Sequence, residues 1–314
     1  MKSYFYLFIL LGVLSACQTN TNSEEVVCET IHTYGVPLAP QEWSERGQCG
    51  QVISKRKDGV TVTRNYDAGV LHGECFYSHP FRETIQKKEV YDRGTLKTEV
   101  IHYPTGVPQK QIDYDSNNRQ LATTWFESGA PHSSEEIEGN QLIAGEYYAQ
   151  NQQLDSRVEG GNGFRTKRGP GDELISVDTI QDGKMTVSTT YHSNGLPKAI
   201  TPYVEGVIHG ERRTYLHGGE PSTIETWKNN VQNGNTILFE HGEKRAELPY
   251  VDGVPHGIER RYQDDGKLIQ EVTWVKGQKH GPAYTYLSSK PQTDWYFKGQ
   301  QVPNKATFEM MSNQ

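Results

Sequence analysis

The chain has 314 residues and a formal net charge of −7, and it is 34% hydrophobic with 31 Gly, 15 Pro and 18 Tyr. So little apolar material among so many turn formers excludes one large globular core and points to short strands with frequent reversals. The acidic balance excludes nucleic acid and anionic lipid as partners: tight phosphate binding needs a concentrated basic field, and the run Lys55-Arg56-Lys57 is too small to supply one.

Residues 1–17 form one processing unit, in which Met1-Lys2 is a short basic start, residues 4–13 are apolar and Leu14-Ser15-Ala16-Cys17 closes the segment. The apolar stretch is too short to span a bilayer. The closing tetrad resembles the bacterial lipobox, which implies cleavage before Cys17, acylation of its thiol and a lipid-anchored envelope protein. An ordinary signal peptide or short anchor with a chance Cys is the plainer alternative. Gln18, where Asp would retain a lipoprotein at the inner membrane, implies outer-membrane sorting by the same resemblance. Cleavage removes Lys2, so the basic count falls from 32 to 31 against 39 acidic residues, a net charge near −8.

Residues 18–30 open with the patternless polar run TNTNSEE and read as a flexible tether, with folding from about Val26. An exported chain sits where disulfides form. Cys28 and Cys49, both in the irregular N-terminal part, are the expected pair, and Cys75 is left over. Their spacing fits no zinc site.

Residues 31–150 read as degenerate hairpin repeats, with YDAGVLHG at 66–73 and shorter phrases at 91–94, 103–106 and 126–129. Residues 151–177 lack the aromatic beat and concentrate Gly and charge; they are a distorted hairpin, the favoured reading, or a loop between two repeat blocks. Residues 178–300 are regular. An aromatic residue returns there at Tyr191, Tyr203, Tyr215, Trp227, Phe239, Tyr250, Tyr262, Trp274 and Tyr286, at spacings of 12, 12, 12, 12, 11, 12, 12 and 12. Long phrases (YVEGVIHG, YVDGVPHG, WVKGQKHG) alternate with short ones (YHSNG, YLHGG, YQDDG), so the unit is a hairpin of about 24 residues with two unlike turns. Four or five residues separate each phrase from the next aromatic, enough for a strand. Asn194-Gly195 and Asp265-Gly266 supply the positive φ that tight turns need. No window carries apolar residues at helical spacing, so few or no helices are expected. Residues 301–314 read as a tail.

The phrase Tyr-x-x-Gly-x-x-His-Gly resembles the MORN repeat, in particular its bacterial variant, over roughly residues 58–300. The resemblance implies an all-β fold: an elongated, single-layer, twisted antiparallel sheet of hairpins. Its members include antitoxin-like proteins, membrane-associated scaffolds and repeat arrays attached to enzymes. The family's further Gly after the His-Gly step is replaced here by Arg212 and Glu259, and no attached catalytic domain is visible.

His72, His209, His256 and His280 precede the second Gly of a long phrase and invite a metal ladder. Repeats stack about 10 Å apart, however, whereas ligands of one metal converge to about 2 Å from it. They read as turn residues, with no metal or cofactor expected. Nucleophile elbows and phosphate loops are missing, and acidic pairs such as Asp264-Asp265 sit beside turns. The aromatic ladder has two readings: rings packing on one another across strands, or a groove in which Tyr203, Arg213, Tyr215, Trp227, Tyr250, Arg260, Tyr262, Trp274 and Tyr284 contact a partner. Position i+2 shares a face, which puts Arg213, Ile237, Arg260 and Tyr284 beside the ring that follows each. The sequence therefore predicts a non-catalytic interaction scaffold, membrane-attached through acylated Cys17, for an envelope or host protein. Alternatives are a toxin-neutralising or immunity-type binder, and a glycan-binding protein or hydrolase of envelope polymers.

Overall fold

The computed structural model describes residues 25–287 and 290–313; the leader, Cys17 and most of the expected tether lie outside the described residues. The described chain is one antiparallel sheet of 27 strands paired in sequence order, as the hairpin grammar predicts, save that the two-residue strands Val70–Leu71, Val207–Ile208 and Val254–Pro255 pair only with the strand before them. Alternating strand and turn leave only local partners, so the sheet grows by one strand at a time without crossovers. Among the described residues there are two short helices, α1 (Pro40–Glu45) and α2 (Lys305–Ser312). Among the described residues no helix is long and apolar enough to cross a membrane.

The two edges of the ribbon differ. One carries two-residue tips with both φ values positive, as at Asp252-Gly253 (50° and 82°) and Lys276-Gly277 (49° and 80°), the turn geometry that matches strand twist. The tips are stitched together: Gly253 N–H donates to the Gln232 carbonyl (2.9 Å) and Gly277 N–H to that of Pro255 (2.8 Å). The other edge carries longer turns closed by a single glycine, as where Gly195 N–H donates to His192 O (2.9 Å).

Residues 151–177 hold the strands Leu154–Glu159 and Asn162–Arg168, and Leu174–Gln181 begins there, all paired into the same sheet. Of the tether expected over 18–30, residues 25–30 are strand instead, because Glu25–His32 pairs with Gly50–Arg56. Glu25, which reads as tether polarity, is held by Arg64, with Arg56 at 3.9 Å. Hydrogen bonding from Arg64 keeps its carboxyl below the usual range. The expected tail contains α2, whose Asn304 cap accepts from Thr307 N–H (3.0 Å) and whose Phe308 packs on His280 (5.1 Å) and Trp295 (5.2 Å).

The expected Cys28–Cys49 disulfide is absent, and Cys28, Cys49 and Cys75 are free thiols. The register forbids the bond. Cys49 adjoins Gly50, which pairs with His32. Cys28 lies four residues back along that strand, roughly 13 Å away, about twice the Cα separation a disulfide spans.

Strand pairing sorts side chains into two faces. Direct partners run Cys75, Glu89, Glu99, Ile112, Ala122, Glu135, Gly145, Val158, Gly163, Ile180 across ten strands. Nearly all the buried side chains fall on this face, including Val62, Asp178, Ala199, Thr236, Ala246, Val272 and Ala283. It is called the closed face below, and its opposite the open face.

Candidate functional site

On the closed face the second glycine of each long phrase meets the aromatic of the following strand. Gly73 pairs with Tyr91, Gly210 with Trp227, Gly234 with Tyr250, Gly257 with Trp274 and Gly281 with Tyr296. A residue without a side chain lets the ring lie across the neighbouring backbone, and these glycines have φ between +85° and +123°. The polar edge of the ring is tied to a carboxylate. Trp274 Nε1 donates to Glu259 (2.8 Å) and Trp227 Nε1 to Glu225 (2.9 Å). Arg261 and Arg212 pair with the same two carboxylates at 2.6 and 2.8 Å. Burial alone would raise the Glu225 pKa; donors from Trp227, Arg212 and Thr223 outweigh it and hold the carboxyl below its ordinary value.

The open face carries a second row. Tyr191, Tyr215, Phe239, Tyr262 and Tyr286 each follow two strands after the last. Tyr262 donates its hydroxyl to Glu247 (3.2 Å) and Tyr286 donates to Glu271 (2.8 Å). Arg260 Nε reaches Glu271 at 3.0 Å, Lys244 pairs with Glu247 and lies 4.6 Å from the Tyr262 ring centre, and Tyr284 stacks on Tyr286 at 6.4 Å. Beside the rings runs a stripe of direct partners: Arg213, Ile224, Ile237, Glu247, Arg260, Glu271, Tyr284. Upstream, Trp125 and Tyr148 continue the row, with Arg168 in the position between Tyr148 and Tyr191.

The nine residues expected to share one groove are thus divided. Tyr203, Trp227, Tyr250 and Trp274 lie on the closed face, and Arg213, Tyr215, Arg260, Tyr262 and Tyr284 on the open one. Gly257, which faces Trp274, and Tyr262 are five residues apart on one strand; an odd separation puts them on opposite faces. Among the described residues successive ladder rings do not pack on one another; their polar edges reach carboxylates instead, on the neighbouring strand for Tyr262, Trp274 and Tyr286 and on its own strand for Trp227.

The phrase histidines serve the tips. Nδ1 of His256 accepts from Lys276 N–H (3.4 Å), of His280 from Lys298 N–H (3.3 Å) and of His72 from Arg93 N–H (3.3 Å). His209 differs, with Nδ1 at 3.3 Å from Asn229 Oδ1. Among the described residues no group of three or more His, Cys, Asp or Glu is placed to hold a metal ion.

A feature the sequence reading missed lies in the middle hairpins. Asp178, fully buried, accepts from Arg165 (2.9 and 3.1 Å) and Ser188 (2.6 Å) and pairs with Lys167 (2.9 Å). Arg165 also approaches Glu135 (3.9 Å), which accepts from the Tyr147 hydroxyl (2.9 Å). Burial, followed by the Glu135 charge, pushes the Tyr147 phenol well above its usual range. The signal was the charge concentrated in 151–177, whose alternation places Arg165 and Lys167 on one face.

Comparison with known proteins gives a partial placement. No curated protein matches the chain. A chain of the Photorhabdus luminescens Tc holotoxin pore is similar at 12% identity over 88% of this chain and 20% of that one, with a TM-score of 0.16. The present chain thus spans about a fifth of that chain's length, and a likeness at that score carries no argument. The family model described as MORN repeat variant matches residues 255–276, the stretch that holds His256, the Gly257–Trp274 rung and the tip residue Lys276. The matched stretch carries one rung and its tip, and the same glycine–aromatic rung recurs in the hairpins on either side of it.

Proposed function

We propose that the chain is a non-catalytic, repeat-based binding scaffold, fixed to a bacterial envelope membrane through acylated Cys17 and presenting the open face of its sheet to an extended envelope or host partner. The observation that carries this reading is the row of half-buried rings returning every second strand from Tyr191 to Tyr286 beside an unbroken stripe of polar and apolar partners. Many weak contacts along such a surface add up to useful affinity without a deep pocket. The anchor rests on the tetrad ending at Cys17.

Crosslinking in intact cells, with whole hairpins deleted stepwise between 203 and 286, tests the scaffold. Capture of the partner should fall by a similar factor with each hairpin removed; capture indifferent to the number of hairpins overturns the reading. Cys17→Ala should move the protein from the detergent phase to the aqueous phase, and unchanged partition removes the anchor.

A further inference from the structure

We propose that the open-face row is a track for an extended β-1,4-linked polysaccharide, one disaccharide to each ring; this rests on the scaffold reading above and names its ligand. Tyr191, Tyr215, Phe239, Tyr262 and Tyr286 stand at the ends of alternate strands, so successive rings are two strand spacings, about 10 Å, apart. In a β-1,4-linked chain each sugar is turned over relative to the last. The same C–H face therefore returns once per disaccharide, a length close to that pitch. An α-1,4-linked chain coils and offers no such repeat.

An extended peptide fits the row poorly. It rises about 3.3 Å per residue, so three residues separate rungs, and an odd number sends alternate side chains away from the sheet. The polar neighbours suit sugar hydroxyls and acetamides. The Glu271 carboxylate with the Arg260 guanidinium and the Glu247 carboxylate with the Lys244 ammonium sit one step inward from the rings. The ring hydroxyls of Tyr262 and Tyr286 are already spent on Glu247 and Glu271, which fixes the rings as stacking surfaces. Lys244, now over the Tyr262 ring, swings aside when sugar binds. Strand twist rotates each rung by roughly 45° from the last, so the track takes single soluble chains in preference to crystalline polymer.

The test is calorimetric titration of the mature chain, all hairpins present, with β-1,4-linked N-acetylglucosamine oligomers from the disaccharide upward and maltohexaose as the α-linked control. Affinity should climb with each added disaccharide, and Phe239→Ala, which removes the ring shared by every three-ring register of the track, should weaken chitohexaose by about tenfold. Trp274→Phe, on the closed face, should bind as the parent does. Thermal melts establish that each variant is folded. Saturation by no oligomer, equal binding of maltohexaose, or an equal loss from Trp274→Phe overturns the proposal. If oligomers fail while hairpin deletion still abolishes partner capture, the partner is a protein and the glycan track falls alone. If deletion also changes nothing, the scaffold falls with it.

Discussion

The middle hairpins and the C-terminal hairpins build one sheet from different materials. From residue 203 onward the rung is glycine against an aromatic, as in Gly257 with Trp274. In the middle the same rung is glycine against an aliphatic, Gly145 with Val158 and Gly163 with Ile180, and these join Leu142 and Tyr147 in the apolar cluster of the closed face. The charged partner differs likewise. Glu259 in the C-terminal part is served by an indole and one arginine, whereas Asp178 in the middle gathers Arg165, Lys167 and Ser188. Gly163 takes the positive φ of the C-terminal rung glycines and Gly145 does not, so glycine at the rung is kept in both regions while its backbone angle and what lies across it vary.

Because repeats contact only their neighbours, damage in one region should stay there, and the comparison can be broken region by region. The largest effects are expected in the middle hairpins, at Asp178 and at Gly163. Asp178→Ala leaves Arg165 and Lys167 without their buried partner and should cost about 3 kcal/mol. Hydrogen exchange should accelerate between residues 133 and 191 and stay near parental beyond residue 257; uniform acceleration would mean the sheet is one cooperative unit. Burial works to raise the Asp178 pKa, but Ser188, Lys167 and Arg165 outweigh it and hold the carboxyl below its ordinary value. Its contribution is therefore complete above the unfolded-chain value, about 4, and disappears as pH falls through the depressed folded value. Asp178→Asn should remove that acid sensitivity from the middle hairpins while the C-terminal ones keep theirs.

Glycine substitution sharpens the same contrast. Gly163 has φ +141°, and a Cβ there would run into the Arg157 carbonyl oxygen; Gly257 has φ +117°, and its Cβ would meet Pro249 Cγ at 2.9 Å. A ring carbon can shift and a laddered carbonyl cannot. Gly163→Ala should cost about 3 kcal/mol and Gly257→Ala about 2 kcal/mol, read by denaturant titration of each variant. Equal costs would mean that φ alone sets the penalty.

Trp274→Phe comes next. The ring over Gly257 is kept, but Glu259, 4% exposed, loses its indole donor and retains Arg261. The loss should be about 1 kcal/mol. A second change, Glu259→Gln, should add a further loss, since Glu259 still pairs with Arg261 once the indole donor is gone; only the hydrogen bond shared with Trp274 is not counted twice.

Much of this was legible in residue spacing. The twelve-residue beat and the Asn-Gly and Asp-Gly steps are local rules, and they yield hairpins, register and sheet class without long-range information. The division of the rings between two faces was legible as well, in the five-residue step from Gly257 to Tyr262, but a count of aromatic to aromatic hides it because each interval of about twelve residues crosses a turn. The disulfide failed because pairing by irregular neighbourhood ignores register. The middle hairpins were obscure because their rungs are aliphatic, and Asp178 because burial of one carboxylate depends on cations brought by the neighbouring strand. α2 announced itself only through the Asn304 cap, a weak signal beside a Pro.

The smallest expected effect separates a turn residue from an incidental one. Nδ1 of His256 takes the N–H of Lys276, a residue held at φ +49° in the next tip, and His280 does the same for Lys298 at φ +47°. Both amides lie at exposed tips, so water replaces much of what the imidazole gives, and His256→Ala should cost about 0.5 kcal/mol. The useful readout is local: exchange of the Lys276 amide should quicken in His256→Ala, and that of Lys298 in His280→Ala. His209→Ala should leave the corresponding tip amides unchanged, because that imidazole meets Asn229 Oδ1 and Asn230 already binds Ile208 N–H through its own side chain at 2.7 Å. An equal effect at all three would mean the histidine acts through packing of the tip and not through the amide it accepts from.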